Sequence, residues 1–164
     1  MSTNKEKGFT IIEVALVLAV AALIFLVVFL AVPALQRNQR NDARRRDIAF
    51  VVQAVTAYVS SNNRLPGTNP DTNLTISVPT TVDTGFQAHL GDGLSANTET
   101  VTVVGTAVDT ITPARGTITV VRNARCGAAP GAPIQVGGGT ARNAAVVGTI
   151  ELSRTGNERY CQDV

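Results

Sequence analysis

Residues 14–35 are 22 consecutive positions with neither a charge nor a polar side chain. No other feature constrains the fold as tightly. As a helix, a run of that length spans a bilayer core about 30 Å thick. It is too long for the apolar core of an ordinary secretory signal, which runs to about 7–15 residues. Ala19-Val20-Ala21 has the small-x-small form of a signal cleavage site but lies in the middle of the run. The chain beyond residue 35 is polar and rich in Gly, Thr and Asn. That remainder, roughly 130 residues, can enclose only a modest core.

Charge is distributed around this run in an ordered way. Residues 1–8 are polar and hold both lysines, Lys5 and Lys7, which favour retention of the N-terminus inside the cell. Every later basic residue is arginine. Residues 36–64 carry six arginines against Asp42 and Asp47, and the chain from residue 65 onward is mildly acidic. The net charge of +2 therefore says little about nucleic acid as a partner.

A plain membrane anchor accounts for the run and the lysines but not for Glu13. A carboxylate at the edge of a membrane helix costs about 1–3 kcal/mol unless paired or shielded. The stretch Gly8-Phe9-Thr10-Ile11-Ile12-Glu13, leading into the apolar run, resembles the processing motif of type IV prepilins. The resemblance implies cleavage between Gly8 and Phe9 by a prepilin peptidase and N-methylation of Phe9. It makes Glu13 the acidic residue that pairs with the new amine and helps to set subunit register in a filament. A buried amine and a buried carboxylate are each costly alone and tolerable together. Glu13 has a simpler alternative role, favouring the helix N-terminus through the macrodipole. Members of the family usually carry a Gly or Pro pair within the run. Here the only helix breaker is Pro33, which predicts a bend or a locally melted turn over residues 29–33.

Beyond Pro33 lies a charged stretch containing Arg37, Arg40, Arg44, Arg45 and Arg46. A basic cluster beside a membrane helix can bind anionic headgroups, and it also resembles a nucleic-acid patch. The alternative is a solvated helix face with pairs such as Asp42–Arg46 and Arg44–Asp47. Ile48, Val52, Val55 and Val59 then recur at helical spacing and need a surface to pack on. Ser60-Ser61-Asn62-Asn63 weakens this helix, and Pro66-Gly67 stops it. One helix over residues 9–63 would be roughly 80 Å long at 1.5 Å per residue.

Residues 64–100 read as a long loop with one short strand at 74–78. Val/Thr/Ile-rich stretches at 100–108, 116–123 and 143–152 read as strands. Thr155-Gly156-Asn157 is a turn signal that returns the chain as a hairpin through residues 158–162, and residues 128–140 read as loop. Cys126 and Cys161 are too far apart in sequence for a compact metal site or a redox pair. In an exported segment they suggest a disulfide, and otherwise two buried thiols. The family resemblance implies the disulfide, as the C-terminal loop of many pilins has one.

Other motifs weigh less. Leu65-Pro66-Gly67-Thr68-Asn69 looks like a sortase signal but stands in mid-chain as a helix-ending turn. His89 lies in a Gly-rich loop without a nucleophile constellation. Gly137-Gly138-Gly139 lacks the context of a phosphate loop. Asp92 between glycines has no spaced set of acids for calcium. The reading is of a non-enzyme without cofactor or metal.

The expected fold is α+β, type IV pilin-like, with a long N-terminal helix packed against a small C-terminal antiparallel sheet. The expected organisation is a leader (1–8), a transmembrane and filament-core helix (9–35), an amphipathic helix (36–63) and a β-rich head (64–164). The resemblance implies a pilus subunit, most naturally a major pilin, serving adhesion, twitching motility or DNA uptake. A type II secretion pseudopilin or competence pilin shares the same N-terminus. A non-polymerising membrane-tethered binding module is a third reading, in which Glu13→Ala is harmless. The implied partners are other copies in a helical homopolymer, the prepilin peptidase, the pilus assembly machinery and the membrane before assembly. A surface or host-cell ligand, or DNA, would be a further partner. The implied location is the cytoplasmic membrane for the precursor and an extracellular pilus afterwards.

Overall fold

The computed structural model describes residues 8–67, 74–77, 85–91, 93–105, 111–129, 131–136, 142–152 and 156–164. In chain order its elements are α1 (Ile11–Asn62), β1 (Leu74–Ser77), α2 (Gln87–Leu90), β2 (Thr100–Val104), β3 (Thr117–Arg122), β4 (Ala124–Arg125), β5 (Gln135–Val136), β6 (Ala144–Leu152) and β7 (Gly156–Asp163). The fold is α+β, a long N-terminal helix and a small β-sheet. The chain divides into two compact units, Met1–Asn38 and Gln39–Val164.

Helix α1 contains no glycine, and its single proline is Pro33. Of the bend or locally melted turn expected over residues 29–33, the melted turn is absent, for the helix is continuous through them. Proline removes one donor at a cost of about 3 kcal/mol, and the helix runs unbroken on both sides of it, from Ile11 to Val32 and from Ala34 to Asn62. The helix ends where Asn63 adopts a left-handed conformation (φ 55°) and its N–H bonds the Val59 carbonyl at 2.8 Å. That is the Asn form of a C-terminal cap, with Pro66 soon after. The weak helix formers just before it are held by back-bonding. Ser60 Oγ donates to Thr56 O, Ser61 Oγ to Ala57 O and Asn62 Nδ2 to Tyr58 O, at 2.9, 3.0 and 3.1 Å.

In the second unit the main sheet has the order β1-β2-β3-β6-β7. The expected antiparallel sheet is corrected to a mixed one, because β2 and β3 run parallel while the other neighbours are antiparallel. The cause lies in the connection. Residues 105–116 span twelve positions between β2 and β3, enough for a crossover, whereas a tight hairpin would have forced an antiparallel pair. Other differences are smaller. Strand β2 stops at Val104, short of the expected 108, and residues 106–108 lie outside the described set. Gly156 and Asn157, expected in a turn, already belong to β7 and pair with Leu152 and Glu151. The expected loops at 64–100 and 128–140 contain α2 and β5. At four and two residues, these are too short to leave a periodic pattern.

The sheet is covered on both faces. Ile48, Val51, Ala54, Val55 and Tyr58 of α1 pack with Val101, Val103, Ile118, Val120, Ala144 and Val146. The alternate residues Val121, Ala145 and Val147 pack on the other face with Ala124 and Ile134. Residues 144–150 of β6 are therefore buried without alternation, as a central strand with both faces covered should be.

Candidate functional site

The N-terminal segment is built from the helix start. Gly8, Phe9 and Thr10 precede α1, and Phe9 is 87% exposed. Thr10 and Glu13 form a reciprocal cap. Thr10 N–H and Thr10 Oγ–H both donate to Glu13 Oε2 at 2.9 Å, and Glu13 N–H reaches Thr10 Oγ1 at 3.4 Å. A Thr-x-x-Glu capping box satisfies two donors that a helix start otherwise leaves unpaired. It also fixes where the helix begins, and the Gly8–Phe9 peptide lies outside it. Among the described residues no donor reaches Glu13 Oε1. Sequence reasoning missed the role of Thr10, although the four-residue Thr-x-x-Glu pattern is a signal that could have found it.

Beyond the cap, every large apolar side chain at residues 11–32, and Leu35 after them, is exposed. The most apolar 18-residue window of α1 has a mean hydropathy of 3.3, and none of it is buried. By length and composition this helix can cross a membrane. At Pro33 the helix is intact, and the Pro33 carbonyl accepts a bond from Arg37 Nε at 3.3 Å.

Residues 3–29 match a protein family described as the prokaryotic N-terminal methylation motif. The chain carries the type IV prepilin signature. The match covers Gly8, Phe9, Glu13 and most of the apolar run, and supports a type IV pilin-like or pseudopilin assignment. No curated protein and no solved structure matches the chain.

The basic stretch is arranged differently from a free patch. Arg40 pairs with Glu151 at 3.0 Å, and Arg44 donates to the Thr149 carbonyl at 2.7 Å. The Arg45 guanidinium lies over the Tyr160 ring, 5.6 Å from its centroid. Arg46 is exposed, with Nε on the Asp42 carbonyl at 3.2 Å. The expected Arg44–Asp47 pair is replaced. Asp47 is 3% exposed and accepts from Ser95 N–H (2.9 Å), Ser95 Oγ–H (2.6 Å) and Thr98 Oγ–H (2.6 Å). A buried carboxylate needs such donors, and these tie the loop before β2 onto α1. Glu151 also receives Arg115 at 3.8 Å. The Arg40 hydrogen bond, above all, holds its carboxyl below the ordinary value of 4.5, against the opposing effect of burial.

Cys126 and Cys161 form a disulfide, with Cα atoms 5.7 Å apart. Both flank the apolar cluster on the far face of the sheet. Cys126 N–H also donates to Asp163 Oδ1 at 2.6 Å, and Arg159 to the Ala132 carbonyl at 2.9 Å. The bridge thus pins the segment that covers that face. His89 has a packing role, with its ring edge-on to Tyr58 at 5.5 Å and Nδ1 bonded to the Gly85 carbonyl. Residues 137–139 and Asp92 lie outside the described residues.

Proposed function

We propose that this chain is a structural subunit, a major pilin, of a type IV pilus. The observation that carries the reading is the exposure of the whole apolar half of α1 in a chain with the prepilin signature. That much exposed apolar surface supports burial in a bilayer first and against neighbouring copies afterwards. In this reading the precursor sits in the cytoplasmic membrane through residues 9–35, with residues 1–8 as a leader. A prepilin peptidase cuts between Gly8 and Phe9, and Phe9 is N-methylated. Glu13, already oriented by Thr10, then offers its second oxygen to a terminal amine. The disulfide-bonded head, residues 64–164, faces outward on an extracellular filament that serves adhesion, twitching motility or DNA uptake.

The test is the intact mass of protein sheared from the cell surface, with fragmentation of its N-terminus. The expected chain starts at Phe9, about 14 Da heavy from one methyl group and about 2 Da light from the disulfide. A chain starting at Met1 and found only in membranes would overturn the reading and leave a tethered module. A processed chain absent from sheared material would point to a pseudopilin.

A further inference from the structure

The fold uses the basic stretch only in part. Arg40 and Arg115 share the Glu151 carboxylate, yet their side chains remain 42% and 63% exposed. Arg44 lies within Coulombic reach of the same carboxylate, bound to Thr149 O, and its Nε is buried without an acceptor. Three guanidiniums against one carboxylate leave a formal charge of +2 at the end of β6. Glu99 packs on the neighbouring Gly116, but among the described residues it makes no ion pair with these arginines. Leu152, next to Glu151, is an exposed apolar side chain.

The place of this cluster along α1 gives it meaning. Arg40 follows the last residue of the apolar run, Leu35, by only five positions in the sequence. The headgroup layer outside the hydrocarbon is about 5–8 Å thick. Guanidinium forks match phosphate oxygens in pairs. We propose that Arg40, Arg44 and Arg115, gathered around Glu151, bind the phosphates of anionic lipid headgroups and seat the unassembled subunit on the membrane. Leu152 adds an apolar contact at the same edge. A nucleic-acid reading of the stretch is disfavoured, because the aromatic ring beside it, Tyr160, is already covered by the Arg45 guanidinium and is not free to stack a base. The proposal rests on the reading of α1 as a membrane helix.

The experiment is amide hydrogen exchange on the full-length chain in lipid nanodiscs, of phosphatidylcholine alone or with about one third phosphatidylglycerol. In the anionic discs, residues 113–117 and 147–152 should exchange about fivefold more slowly, the effect of roughly one arginine at a charged surface. The difference should vanish in about 0.5 M salt, where screening is nearly complete. Arg115→Gln should remove most of it, and because Arg115 is exposed and Arg40 keeps Glu151, that variant should fold. Equal exchange in both discs would overturn the proposal. So would equal protection by inorganic phosphate or duplex DNA in neutral discs. Cleavage of the leader does not enter this test, so its failure leaves the filament reading standing, and an uncleaved chain leaves this proposal standing.

Discussion

Asn41 and Glu151, 110 residues apart, exchange two hydrogen bonds. Asn41 Nδ2 donates to the Glu151 carbonyl and Asn41 Oδ1 accepts the Glu151 N–H, each at 2.8 Å. The side-chain amide acts as one more rung of a β-ladder and joins the end of β6 to the first turns of α1 in the head. Asn41→Ala leaves both backbone groups to find water at a half-buried place. The expected loss is about 2 kcal/mol, from two bonds of about 1 kcal/mol each. Urea titration of the detergent-solubilised chain, with proteolysis of the head as the readout, should show the shift. Asn41→Asp should be as damaging, because a carboxylate cannot donate to a carbonyl.

Gly148 faces Ile48 across the helix–sheet interface. A Cβ at position 148 would lie 2.5 Å from Ile48 Cδ1. Gly148→Ala should therefore push α1 off the sheet and cost about 1–3 kcal/mol, as overpacking does. Ile48→Val removes that terminal methyl and should cost about 0.5–1.5 kcal/mol alone. The double variant should be more stable than the sum of the two losses predicts. A double-mutant cycle on the same urea titration checks this, and strict additivity would show that the clash is relieved elsewhere.

Much of this protein was legible because its strongest signals are local. The prepilin motif, the apolar run and the Val/Thr stretches each declare themselves within a single stretch of chain. What could not be read are the partners of the charged residues. Helical spacing alone offers Asp47 to Arg44. In the fold, the stripe of Ile48, Val51 and Val55 buries that side of α1 against the sheet, and Asp47 takes Ser95 and Thr98 instead. Arg40 likewise finds Glu151 across 111 positions. Such pairings depend on the register of β6 and on the crossover between β2 and β3, which no local pattern encodes. The reciprocal cap of Thr10 and Glu13 was within reach, since it needs only a Thr and a Glu three positions apart.

The Glu151 carboxyl makes the head sensitive to acid. Its hydrogen bond with Arg40 lowers the folded pKa below the ordinary 4.5, helped by Arg115 and Arg44. The folded state then binds fewer protons than the unfolded state, so the contribution is complete above pH 4.5 and is lost as pH falls through the folded value. Thermal unfolding measured from neutral pH to below that range should show a decline that Glu151→Gln reduces. Glu151→Gln should be less stable than the parent at neutral pH and closer to it in acid. A gap that does not narrow on acidification would place the source of the sensitivity elsewhere.

The disulfide acts on one face of the sheet and should be silent on the other. Closing a loop with a separation of 35 residues contributes about 4 kcal/mol in the chain-entropy account. The bridge also pins the segment bearing Ala124 and Ile134 over Val121, Ala145 and Val147. Replacing both cysteines with serine removes the constraint and puts two polar groups at the rim of an apolar cluster. Exchange of amides in residues 124–136 and on β7 should then accelerate first. The helix-facing cluster of Val51, Val55, Val101 and Val120 does not touch the bridge and should keep its protection until global unfolding. Equal acceleration on both faces would mean that the two clusters unfold as one unit, and that the disulfide holds the whole head rather than its cover.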